Sequence, residues 1–256
     1  MMFNNKNVFI SQKAKIGQNV RIGDNTVIFD NVCIQDNVTI AHNCVLGEPL
    51  NEYYSIPGYL NPITTIGKNS LIRSHSIIYA GNTLGENVST GHRVTLREHN
   101  QIGHHSVIGT LSDIQGYVTI GQYSRLHSNV HLAQYSRIGD FVFIYPYVVM
   151  TNDLYPPSVD WKGGFIGNYT QVAAHCIILS GVTVGENCLL SVNSVVKNNL
   201  PDYSLAMGDP AKQIIDIRDF VILGKGKMYP WMYRFSKGMP WENIGYEKWM
   251  NNGINE

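Results

Sequence analysis

The 256-residue chain lacks an excess of either charge: nineteen Lys and Arg balance nineteen Asp and Glu. That balance removes the electrostatic footprint of a protein made to hold nucleic acid or an anionic membrane. Long apolar runs are also missing, so no stretch reads as a bilayer span. The opening Met1-Met2-Phe3-Asn4-Asn5-Lys6 has no apolar run behind a basic region, and a soluble cytoplasmic protein is expected. Cysteine is scarce, four in all, with no CxxC and no zinc spacing; neither a disulfide framework nor a metal site is expected. The main repeat follows neither helical periodicity nor the alternation of an ordinary strand.

What the chain has instead is a step of six. From Ile66 to Met150 an aliphatic residue returns at every sixth position, with Thr90 the single lapse; the same step runs from Ile10 to Leu46 and from Ile166 to Val196. Four places after each aliphatic stands a small or modest residue, such as Ser70, Ser112, Val130 or Ser136. Gly often follows the aliphatic directly, as in Ile66-Gly67 and Ile102-Gly103. This is the hexapeptide repeat of a parallel β-helix: an all-β triangular coil with one hexad per side, the aliphatic inside and the small residue at an inward corner. Residues eighteen apart then stack about 4.8 Å from one another. By that rule Asn82 and Asn100 form an internal amide ladder, Cys44, Cys176 and Cys188 point inward as packing residues, and Cys33 points outward.

The rhythm divides the chain into a β-helix over 1–200 and a segment over 201–256 holding a turn, a short helix from Gln213 and an aromatic tail over 227–249. Two insertions interrupt the coil, at about 48–62 and 151–164, both carrying aromatics and prolines. Loops thrown out of a solenoid are usual places for binding, or for contact with a neighbouring subunit. The eighteen-residue offset also puts Asp113 against His131, which suits a carboxylate that orients an imidazole. It sets Gln115 over Arg97, and His99 beneath Tyr117 and Tyr135. His127 and Asn129 precede His131 and are expected beside the pair.

The hexads, the insertions and the turn Gly208-Asp209-Pro210-Ala211-Lys212 resemble the left-handed β-helix acyltransferases, in which a G-N-P-A-K turn lies near coenzyme A. Left-handedness is implied by the resemblance alone; the usual crossover rule gives the opposite hand. The stretches Ser89–Glu98, Leu111–Gly116 and Tyr145–Asp153 are similar to N-acetyltransferases acting on dTDP-linked 3-amino-3,6-dideoxyhexoses in bacterial polysaccharide synthesis. One departure matters. The related O-acyltransferase acting on UDP-N-acetylglucosamine carries N-x-H-I-A-H, whose second His is the general base; here the run is Asn129-Val130-His131-Leu132-Ala133-Gln134. A hydroxyl needs its proton removed during attack, whereas a free amine already has a lone pair, so glutamine at that place favours N-acylation.

The resemblance implies acetyl-CoA as cosubstrate, no metal, and a homotrimer with its site between subunits. Within it, His131, Asp113, His127 and Asn129 are the catalytic candidates. Arg73, Arg93 and Arg97 suit a nucleotide diphosphate, and Glu98 or Asp153 the sugar amine. Gln115, Gln134, Tyr145 and Asn152 complete the expected substrate contacts. Small residues Ala173, Ala174 and Gly181 offer close approach to a pantetheine arm, with Met207, Gly208, Ala211 and Lys212 at the turn. Other readings stay open: O-acylation, a longer acyl donor, a zinc enzyme resembling γ-class carbonic anhydrases through His99 and His104, or a non-enzymatic β-helix. A sugar nucleotidyltransferase is excluded, because no Gly-rich nucleotide domain precedes the coil.

Overall fold

A computed structural model describes residues 4–252; Met1 to Phe3, read above for a targeting signal, lie outside the described residues. The hexads form a left-handed parallel β-helix. The hexads supply strands of two to four residues, and successive strands go to successive faces. Face one stacks ten strands, from Phe9–Ile10 to Val195–Val196. Face two stacks nine, from Lys15–Ile16 to Thr183–Val184. Face three stacks eleven, from Arg21–Ile22 through Leu189–Leu190 and ending on a hairpin. The aliphatic of each strand points inward, and Ile66, Ile72, Ile78, Ile114 and Leu132 are fully buried in one axial core.

Each side ends in a turn whose third residue after the aliphatic is left-handed, with φ near +60° at Asn129, His99, Tyr135 and Tyr169 among others. Such a backbone costs a non-glycine residue about 1–2 kcal/mol. Stacking offsets part of it: His99, Tyr117 and Tyr135 form a vertical column, as do His105, Tyr123, Phe141 and Tyr169. Asn82 and Asn100 stack inside as expected, but bond through backbone and not to each other's amides. Asn82 Oδ1 accepts from Asn100 N (3.1 Å), Asn100 Oδ1 accepts from Val118 N (2.7 Å), and both Nδ2 groups donate to Arg97 O. Cys44, Cys176 and Cys188 are buried, and Cys33 sits in an outward strand position. At the lapse, the Thr90 hydroxyl accepts the Arg73 N–H (2.9 Å) in place of a ladder carbonyl.

The segment after the coil departs from expectation in one respect. The residues from Gln213 are not a helix. Ala211–Asp216 is a strand paired antiparallel with Ser204–Gly208, because the open edge of face three offers ladder bonds and Ile214-Ile215 suits a pleated strand. Among the described residues of this segment, α-helix is confined to Tyr246–Asn252, with single 3-10 turns at Ile217–Asp219 and Trp231–Tyr233. The aromatic tail packs on the coil: Trp231, Met232, Met239 and Trp241 bury themselves against Phe141 and Phe143.

Inward and outward positions on one face have different costs. Ile114→Ala, at a fully buried site, is expected to lose about 2–5 kcal/mol of unfolding free energy in urea, whereas the outward, exposed Ile177→Ala loses less than about 1 kcal/mol. Equal losses would contradict the inward assignment.

Candidate functional site

The three corners of the prism have distinct chemistry. Between faces two and three, glycines follow the aliphatics, and an added Cβ on Gly67 would fall 2.3 Å from the Gly85 carbonyl oxygen, so coils there touch backbone to backbone. Both insertions leave from a second corner, between faces one and two: one follows Val45–Glu48 and the other follows Val149–Met150. Five strand steps separate these exits on face one, roughly 24 Å at the strand spacing. The third corner, between faces three and one, carries Arg73, Gly91, Gly109, His127, Tyr145 and Ala173 in one vertical column.

Between the two insertions lies a continuous polar network. Asp113 and His131 are direct partners across face one, and His131 Nδ1 is 3.1 Å from Asp113 Oδ2. The same carboxylate oxygen accepts from Gln115 Nε2 at 2.8 Å. Gln115 Oε1 in turn accepts from Arg97 Nη1 at 3.4 Å, and Arg97 forks onto Glu98 through Nε (2.9 Å) and Nη2 (3.2 Å). The Arg97 guanidinium also lies 5.5 Å from the Tyr79 ring centre. Leu50, Asn51 and Glu52 of the first insertion, where Asn51–Ser55 forms a short helix, close over Tyr79, Arg97, Glu98 and Tyr117 around a pocket of about 140 Å³.

This order has a chemical consequence. An ionised Asp113 has only acceptors, so His131 donates Nδ1–H to it and keeps the Nε2 lone pair available. The hydrogen bond with His131, aided by Gln115 and the nearby Arg97 charge, holds the Asp113 carboxyl below the usual carboxylate range despite its partial burial. Both side chains remain partly exposed, 39% for His131 and 43% for Asp113, so a substrate can reach them.

The remaining candidates divide between corners. Gln134 lies beside the network at the loop corner, half-buried, and its side chain has no hydrogen bond among the described residues. Asn152 and Asp153 open the second insertion, but Asp153 is occupied by its own loop, accepting from Tyr155 N, Ser158 N and Ser158 Oγ. Glu98 is likewise engaged by Arg97, so neither carboxylate is left free for an amine. His127 and Asn129 are not beside the pair. Four residues before His131 the chain is still on the previous corner, where His127 stacks on Tyr145 (4.8 Å, 10°). Desolvation, then the Arg125 charge, lowers its pKa and favours the neutral ring. Arg73 and Arg93 are exposed on that same corner, away from Arg97, so the three arginines do not gather.

The cosubstrate candidates separate too. Ala173, Ala174, Met207 and Gly208 continue the His127–Tyr145 column toward the hairpin, where Ala211 is buried and Lys212 exposed. These small side chains, and a lysine with no ion pair among the described residues, fit an extended thioester arm with a phosphate end. Gly181 does not join them; with φ +71° it stands at the loop corner over Lys162. His99 and His104 also fall on different corners, the first stacked on Tyr117 and the second accepting from Glu86 N. Among the described residues no cluster of three His, Cys, Asp or Glu could hold a metal. Sequence reasoning missed Tyr79, Arg125, Phe143 and Phe235; the offset of eighteen that links Arg125 to Phe143 was the available signal for two of them.

Comparison with known proteins finds the repeat at both ends of the coil. Residues 13–48 and 173–198 match the family described as hexapeptide repeat of succinyl-transferase. Staphylococcus aureus proteins named as acetyltransferases are 41% identical over 49 residues, 19% of this chain and 25% of theirs. Galactoside O-acetyltransferase of Escherichia coli K12 is 32% identical over 89 residues, 32% of this chain and 44% of its own. The chain thus spans a quarter to under half the length of these curated relatives. A solved hexapeptide-repeat acetyltransferase from Vibrio cholerae, complexed with acetyl coenzyme A, is 24% identical, covers 46% of this chain and 71% of that one, and has a TM-score of 0.43.

The depressed Asp113 pKa has a defined sign. Its folded value lies below the unfolded value of about 3.9, so its stabilisation is complete above that pH and is lost as pH falls through the folded value. Urea unfolding of wild type and Asp113→Asn is expected to show a wild-type advantage at neutral pH that closes below about pH 4. A gap that does not change with pH would contradict the hydrogen-bonded carboxylate.

Proposed function

We propose that this protein is an acetyl-CoA-dependent N-acetyltransferase whose acceptor is the amine of a nucleotide-linked amino-deoxyhexose, a dTDP-3-amino-3,6-dideoxyhexose by resemblance. The observation that carries the reading is the imidazole of His131, anchored at Nδ1 by Asp113 and open at Nε2, on a face flanked by two insertions. The hexapeptide repeats and the acetyltransferase relatives support acyl transfer as the reaction class. Gln134 at the place of the hydroxyl-activating histidine supports nitrogen as the acceptor atom.

In this reading the free sugar amine attacks the thioester carbonyl directly. A backbone N–H of the coil stabilises the oxyanion, and the tetrahedral intermediate collapses to the amide and the coenzyme A thiolate. His131 Nε2 takes the proton that the attacking nitrogen sheds and returns it to the thiolate; Asp113 stabilises the transient imidazolium. Gln115, Arg97 and Glu98 hold the carboxylate in place and do not touch the reacting atoms. Gln134 has an amide free for the sugar. Much of the acceleration comes from positioning two substrates on a stiff support. A homotrimer, with a second subunit completing the cleft, and a cytoplasmic role in bacterial polysaccharide synthesis belong to the same proposal.

The test is thiol release from acetyl-CoA across a panel of dTDP- and UDP-aminosugars, with mass spectrometry of the product. The expected product gains one acetyl group on nitrogen; acetylation at oxygen, or no release with any aminosugar, contradicts the reading. His131→Asn is expected to lower kcat by about 10²–10⁴-fold with little change in the KM for acetyl-CoA. An unchanged kcat would remove His131 as the proton acceptor.

A further inference from the structure

The corner between faces three and one carries a second open site, whose lining includes neither His131 nor Asp113. In its vertical column Gly91 and Gly109 interrupt a run of large side chains. Below them stands Arg73, above them the stacked His127–Tyr145 pair. Three strand steps separate Arg73 from His127, about 14 Å. The resulting groove has a volume of about 530 Å³, within the range of small-molecule sites. Both glycines are required as built: a Cβ on Gly91 would fall 2.2 Å from Thr110 N, and one on Gly109 2.3 Å from the His127 carbonyl carbon. The lapse at Thr90 falls in this same groove.

The opposite wall comes from the C-terminal tail. Arg125 Nη2 donates to Lys237 O (2.8 Å) and Gly238 O (3.1 Å), and its guanidinium lies 5.6 Å from the Phe143 ring and 5.8 Å from the Phe235 ring. Phe235 is thereby fixed as the rim. The lining holds two arginines and a histidine and no carboxylate. Arg73 is exposed, and its guanidinium has no hydrogen bond or ion pair among the described residues. A cationic fork beside exposed aromatic surfaces is matched by a ligand that joins phosphates to a flat ring.

We propose that this groove binds a nucleoside diphosphate, with the phosphates on Arg73 and the base against Tyr145 and Phe235. Its link to the reaction rests on the acyl-transfer reading, in which the sugar nucleotide and coenzyme A each contain this moiety. Isothermal titration with dTDP, UDP, GDP, coenzyme A and thymidine, in the absence of any acetyl donor, tests the groove apart from the reaction. At least one diphosphate ligand is expected to bind. Arg73→Gln is expected to weaken it about tenfold with thermal unfolding unchanged, and Phe235→Ala is expected to weaken it independently. Loss confined to coenzyme A assigns the groove to the acetyl donor, and loss confined to free nucleoside diphosphates assigns it to the acceptor; either supports the proposal. No binding by any of these ligands, or binding unaltered in both variants, overturns it. Diphosphate binding that depends on Arg73, found where no aminosugar is acetylated, would uphold the groove and reject the proposed reaction.

Discussion

Parallel pairing in register every eighteen residues is the constraint on which the coil depends. Each coil strand is only two to four residues long and could not stand alone; it persists because the coil above and the coil below take its ladder bonds and cover its aliphatic. The same pairing fixes outward side chains to a vertical pitch of about 4.8 Å. Asp113 and His131 meet because their backbones are ladder partners, before any attraction between the side chains is considered. Their hydrogen bond is then formed at little further cost in ordering, since the scaffold has already restricted both residues.

Function on such a prism is divided by corner. At the glycine corner, coils approach too closely for side chains, leaving that edge structural. The loop corner combines turns, two insertions and the network from Glu98 to His131. Arginine and glutamate that are adjacent in sequence would point to opposite sides of a strand, but at a turn both project outward, which lets Arg97 grip Glu98 and still reach Gln115. The third corner pairs a groove with the aromatic tail, so the non-repetitive end of the chain reaches back along the coil to form one of its walls.

Much of this was legible in the sequence, and the limit has a physical cause. Period six gives inside from outside, and period eighteen gives vertical neighbours, which is why the core, the buried cysteines and the Asp113–His131 contact were readable. Corner identity requires counting along the hexad as well: His127 and His131 look adjacent in sequence, but one stands at a corner and the other within the strand that follows it. Arg73 and Arg97 are separated for the same reason. The tail has no period, and its position depends on packing of Trp231 and Trp241 against Phe141 and Phe143, which only the folded chain reveals. The strand at Ala211–Asp216 was missed because it depends on an open sheet edge that local pattern does not encode.

The central claim is that register alone orients the His131 imidazole, committing Nδ1–H to Asp113 and leaving Nε2 as the accepting nitrogen. Nitrogen-15 NMR of selectively labelled histidine in the intact protein, above the titration of the imidazole, measures this tautomer directly. The account predicts that neutral His131 carries its proton on Nδ1 and loses that preference in Asp113→Asn. A resonance showing the proton on Nε2 in the unaltered protein would contradict it.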